Sequence, residues 1–159
     1  MRRSMLWALS CLCMASGHAA LLGADAPRQE IDVAPPASAD VAQAIAFELP
    51  GDQRLRYGVI PSSIQIGDDG LVRYVLVATS RSGGQNILFE ALDCKRGESK
   101  TLARWSAYQS SWRAVATPRW VDINDARNAA SRVLYGGVFC LNGLNQPSVE
   151  AMRRELQGQ

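Results

Sequence analysis

The chain predicts an α+β fold: an antiparallel sheet of about five strands, followed by two C-terminal helices packed on one face, with one disulfide. Three observations point there. Short β-branched and apolar runs, separated by Gly, Asp and Ser turn signals, fill the middle of the chain. Helical spacing of apolar residues appears only in the last third. Two cysteines, Cys94 and Cys140, remain once an N-terminal leader is set aside.

The leader is read first. Arg2 and Arg3 open the chain, and Met5–Ala15 is an uncharged apolar run. Gly17-His18-Ala19 then offers small residues ahead of a cut before Ala20. Residues 1–19 read as a secretory signal peptide, because a helix needs about 20 apolar residues to cross a bilayer. Ala8-Leu9-Ser10 before Cys11 is a poor lipid-attachment box, so a soluble periplasmic product without a transmembrane segment is expected. Residues 20–43, rich in Ala and Pro, show no hydrophobic period and are expected to form a flexible acidic tail. A single globular domain follows over residues 44–159. Between Ala20 and Gln53 six acids face one arginine, whereas residues 54–159 carry fourteen basic and nine acidic groups. The tail could therefore lie against the domain, but solvated independence is the plainer expectation.

Within the domain, Arg54–Ile60 and Ser63–Ile66 read as short strands broken by Pro61. Gly67-Asp68-Asp69-Gly70 is a tight-turn signal, since Asp-Gly supplies the positive φ that such turns demand. Leu71–Thr79 is apolar on both faces and suits a central strand; Asn86–Cys94 returns antiparallel to it. Thr101–Ala107 and Trp112–Ala116 complete the meander. Asp125–Leu134 then places Ala126, Ala129, Ala130, Val133 and Leu134 on one helical face, with Asp122, Asn124 or Asp125 as cap. Gly136-Gly137 ends that helix. Pro147 opens the next, over Ser148–Leu156.

Composition excludes much chemistry. His18 is the only histidine and leaves with the leader, as do Cys11 and Cys13. No Ser-His-Asp or Cys-His nucleophile and no histidine-ligated metal can be built, and phosphate-loop and dinucleotide fingerprints are absent. No cofactor and no metal are expected. With Arg2 and Arg3 gone the charge is near zero, and nucleic acid is not an expected partner. Two lone cysteines in an oxidising compartment are expected to form a structural disulfide.

Four features remain as candidate sites. Asp68-Asp69 has two acids but lacks the alternating ligands of a calcium loop, and reads as a solvated turn. Arg73 and Glu90 are charges inside apolar strands; in one register they form a buried cross-strand pair, and in a register shifted by one residue they point to opposite sides. Arg104, Trp105, Trp112, Arg113 and Trp120 interleave arginine with tryptophan, as a surface for glycans or anions would, and as strand alternation also produces. Glu90, Asp93, Asp122 and Asp125 are the carboxylates from which a glycan hydrolase or lyase would draw two.

The run Gly67-Asp68-Asp69-Gly70-Leu71-Val72-Arg73-Tyr74, followed by Asn86-Ile87-Leu88-Phe89-Glu90 and Cys94, resembles the cryptic neisserial protein family. Trp112, Trp120 and Phe139-Cys140 fall in a compatible order, so the resemblance spans roughly residues 46–142. Leu141 stands where the family often has proline. The resemblance implies small exported proteobacterial proteins of uncharacterised function, an envelope location and support for the disulfide; it implies no activity. The reading is a non-enzymatic periplasmic domain contacting an envelope component, protein or glycan, through its Arg/Trp surface. The alternative is the carboxylate-based glycan enzyme.

Overall fold

The computed structural model describes residues 27–51 and 54–159; the leader expected over residues 1–19 lies outside them. Ten strands form, eight of them in one antiparallel sheet. They are β1 (Ile45–Phe47), β2 (Leu55–Val59), β3 (Gln65–Ile66), β4 (Val72–Ser80), β5 (Gln85–Asp93), β6 (Glu98–Ser106), β7 (Ser111–Ala114) and β8 (Val121–Asp122). The order across the sheet is β1-β2-β4-β5-β6-β7, with β3 sharing the β4 edge and β8 sharing the β6 edge. The meander expected from sequence is present. The strands of this sheet that it lacked, β1 and β8, have three and two residues, too few to show alternation.

The first turn forms as its residues dictate. Gly70 takes φ +74° and its N–H donates to the Gly67 carbonyl at 2.8 Å, closing the hairpin between β3 and β4. In β4 every residue from Val72 to Ala78 is buried, as a strand apolar on both faces requires.

The C-terminal third is less regular than its periodicity predicts. Asp125 is the cap, accepting the Arg127 N–H at 2.9 Å, but it opens a 3-10 turn over Ala126–Asn128. The α-helix proper, α1, runs only over Ala129–Val133. A wide turn over Leu134–Val138 follows, where Gly137 at φ +140° leaves helical geometry. The short ribbon β9 (Cys140–Leu141) with β10 (Leu144–Asn145) leads to α2 (Val149–Gln157). Ser148, one residue later than expected, caps α2 by accepting the Ala151 N–H at 3.2 Å. Cys140 and Cys94 are disulfide-bonded, with their Cα atoms 5.6 Å apart.

Both faces of the sheet are covered. On one, Tyr74, Leu76 and Leu92 pack against Leu134, Phe139, Met152 and Leu156 of the helical layer. On the other, Val75, Val77, Ile87 and Phe89 pack with Ala39, Val41, Ala44, Trp105 and Trp112. Residues 27–44 are thus a strap along the domain, and the expectation of an independent tail is corrected. The strap is extended, as its prolines require, but it is fastened by polar groups that periodicity does not reveal. Arg28 Nε donates to Asp93 at 2.8 Å and its Nη2 to Glu98 at 2.5 Å. Glu30 pairs with Lys100 and accepts Trp120 Nε1 at 2.7 Å. The Ile31 N–H donates to Asp69 at 2.9 Å, while its carbonyl accepts from Arg73 Nη2 at 2.7 Å. Pro36 O accepts Trp112 Nε1 at 2.7 Å.

Asp69 is therefore not a solvated turn residue. Its side chain is fully covered and holds Arg73 through Nη1 at 3.0 Å and Nη2 at 2.5 Å. Burial alone would raise its pKa, but the guanidinium and the N–H groups of Ile31 and Leu71 outweigh that and bring it to about 2.

Two outcomes follow. Cys94→Ala with Cys140→Ala should lose roughly 4 kcal/mol, the chain-entropy value for a loop of this length, read as a lower denaturant midpoint than the oxidised protein. Asp69→Asn should cost about 3 kcal/mol, because Arg73 is left buried without its counter-charge. Limited proteolysis of that variant should cut within residues 27–40 faster than in the wild type.

Candidate functional site

The helical layer is too short to cover its whole face, and a cleft of about 790 Å³ opens beside α1. Glu90 lines its floor from β5, only 6 % exposed. A bulge in β6 brings Thr101 opposite it. Phe89 stands opposite Ala103 but Glu90 opposite Thr101, so Leu102 is an extra residue in β6. Three hydroxyls converge on the carboxyl: Tyr74 Oη at 3.0 Å, Ser131 Oγ at 3.2 Å and Thr101 Oγ1 at 3.3 Å. Burial raises the Glu90 pKa above the ordinary 4.5; the three hydrogen bonds and the Arg104 charge oppose the rise without cancelling it. Tyr74, fully enclosed, is itself pushed well above its ordinary value by burial and by the Glu90 charge.

The rim is basic. Arg104 and Arg127 line the cleft, and Arg127 is paired with Asp125 at 2.8 Å. Arg113 stands directly across from Arg104 on β7, so two arginines are neighbours on one face. Arg113 Nε donates to Gln109 Oε1 at 2.7 Å. Arg104 makes no hydrogen bond or ion pair with any described residue. Like charges directly opposite in a sheet destabilise it, by up to about 1 kcal/mol.

The residues singled out from sequence separate. Arg73 faces Ala91, while Tyr74 faces Glu90, so Arg73 and Glu90 lie on opposite sides of the sheet and form no pair. The one-residue register shift weighed from sequence is the arrangement found. Strand alternation parts the arginines from the tryptophans. Trp105 and Trp112 turn to the strap face, edge to face with ring centroids 5.3 Å apart, and Arg104 and Arg113 turn to the cleft face. Trp120 is half-buried, with the Arg28 guanidinium 3.7 Å above its ring. The strap thus occupies the indoles that sequence left open for a ligand.

The carboxylates separate too. Asp93 holds Arg28 and the N–H groups of Lys95 and Arg96, Asp122 accepts the Asn124 N–H, and Asp125 caps a turn. Glu90 is the sole acid among the described residues lining the cleft. Among the described residues no group of three or more His, Cys, Asp or Glu could hold a metal ion. Sequence reasoning missed Tyr74, Thr101 and Ser131. The pairing of Tyr74 with Glu90 needs the turn at Ser80–Gly84 fixed to the residue, and the bulge at Leu102 has no signature of its own.

A two-faced antiparallel sheet, strapped on one side and carrying a basic cleft over a buried acid on the other, defines a small disulfide-bonded α+β domain. Residues 23–157 match the model of the CNP1-like family, and the chain belongs to that family. No curated protein and no solved structure matches the chain.

Glu90 makes stability depend on pH. An acid whose folded pKa is raised contributes fully below its unfolded value near 4.5, and loses that contribution as pH rises through the folded value. Glu90→Gln keeps a side chain of the same shape but cannot ionise. Denaturation series should show wild type and variant converging near pH 4. Above it the variant should gain, by up to about 1.4 kcal/mol per pH unit until Glu90 has ionised.

Proposed function

We propose that this is an exported, non-enzymatic binding domain of the periplasm that holds an anionic component of the cell envelope in its basic cleft. The observation that carries the reading is Arg104 beside Arg113. The two arginines stand opposite each other in register on adjacent strands, Arg104 lines the cleft, and burial pushes up the pKa of the one described acid in its lining. A carboxylate or phosphate matches the planar fork of arginine and relieves the repulsion between the two. Export is supported by the leader and by the Cys94–Cys140 disulfide, which fits an oxidising compartment. Among the described residues no helix is long and apolar enough to cross a membrane.

The cleft modifies the expected Arg/Trp surface: its arginines remain, and its tryptophans belong to the strap. A hydrolase or lyase using two carboxylates finds little support, since among the described residues Glu90 has no second acid beside it in the cleft lining. Calorimetric titration with peptidoglycan fragments, lipopolysaccharide and polyphosphate tests the reading. One of them should bind saturably, more weakly as salt rises, and Arg104→Glu should weaken it at least about tenfold. Saturable binding to none of the three, or binding indifferent to Arg104→Glu, would remove the cleft as the site.

A further inference from the structure

The floor of the cleft changes character across the sheet. Leu88 on β5 stands directly opposite Arg104 on β6, and Leu76 on β4 stands directly opposite Leu88. Residues directly opposite share a face, so one row runs from a guanidinium to two leucines within two strand spacings, about 10 Å. All three line the cleft, as does Tyr57 on β2, the next strand beyond β4. Leu88 and Tyr57 pack on the core below but are only partly buried, so part of each side chain stays open. The charged end is different. Arg104 is exposed and makes no hydrogen bond or ion pair with a described residue, while Arg127 is held by Asp125. Arg54, the third arginine of the lining, is engaged and stands just before β2, three strands from Arg104. Among the described residues the cleft thus offers one open cation, with an apolar floor leading away from it.

We propose that the anionic component held by the cleft is an amphiphile: a single carboxylate or phosphate on an unbranched hydrocarbon chain. This rests on the reading of the cleft as an anion site and names the chemistry of its ligand. The head meets the fork of Arg104, and the chain crosses the strands over Leu88 toward Tyr57. A chain lying there takes apolar surface out of water on both sides of the contact. A polyanion fits less well. Its further charges would lie over Leu88 and Tyr57, losing water with no open guanidinium in reach. Glu90, two residues along β5, is already bonded by three hydroxyls and asks nothing of the ligand.

Calorimetry on the purified protein, with each compound kept below its aggregation point, separates head from tail. Decanoate should bind saturably and at least about tenfold more tightly than butyrate, which keeps the head and loses most of the tail. It should also exceed decanol, which has the tail without the charge, by about tenfold. Arg104→Gln should bring decanoate down to the level of decanol. Decyl phosphate carries a phosphate on the same tail, and the tighter of the two acids names the head. In ¹³C-methyl spectra of the wild-type protein, the Leu88 signals should shift and saturate with decanoate and stay still with butyrate. Saturable binding by neither acid, butyrate or decanol as tight as decanoate, or Leu88 methyls that do not move would each overturn the proposal. If polyphosphate or a peptidoglycan fragment then binds through Arg104, the cleft stays an anion site with no place for a chain. If no anion binds, the reading beneath falls with it.

Discussion

The central strand is buried on both sides, and that constraint governs the rest of the structure. An antiparallel sheet commonly keeps one wet face, but Val75, Val77 and Phe89 are as apolar on one side as Tyr74, Leu76 and Leu92 are on the other. The described residues supply helices enough for one side only. The second cover is made from residues 27–44, which have no helical period and few large apolar side chains. An extended segment of that composition buries little surface per residue, so hydrophobic area alone does not hold it. It is held by polar contacts to groups that the sheet would otherwise leave unpaired, among them the indole N–H groups of Trp112 and Trp120.

Arg73 and Asp69 are where these layers are tied together. Asp69 sits in the first hairpin turn, Arg73 in the central strand, and Ile31 in the strap, and each is bonded to the other two. Gly67 belongs to the same knot. A Cβ at that position would land on Asp69 Oδ1 and within 2.5 Å of Arg73 Nη1, so the turn can close around the ion pair only with glycine there. Burying such a pair gives little net stability against an apolar substitute, but removing either partner strands the other in a dry site. The pair therefore specifies the strap's path more than it strengthens the fold.

Much of this was legible in the sequence, and the part that was not has a physical reason. The turn at Gly67–Gly70, the doubly apolar β4, its partner β5 and a cap among Asp122, Asn124 and Asp125 were read from local pattern, and the Cys94–Cys140 bridge from the count of cysteines left after the leader. Local pattern stops at pairing. Whether Glu90 meets Arg73 or Tyr74 depends on one residue of register, and the bulge at Leu102 shifts the next strand again. The strap escaped because its contacts reach 38 to 90 residues along the chain, from Ile31 to Asp69 and from Glu30 to Trp120. A sequence rich in Pro and Ala reads the same whether such partners exist or not. The apolar second face of β4 was the available clue, since some element had to cover it.

The cleft follows from the same economy of helix. α1 covers only Ala129–Val133, and its Ser131 reaches Glu90 while Arg104 stays exposed in the cleft. Burial pushes the Glu90 pKa up, yet its residue still lines the opening, its carboxyl bonded by hydroxyls. Burial thus works against the charge of the acid on the cleft floor, and Arg113, of like sign across the strand pair, cannot offset Arg104. The basic character of the cleft comes from the burial of an acid as well as from the placing of arginines.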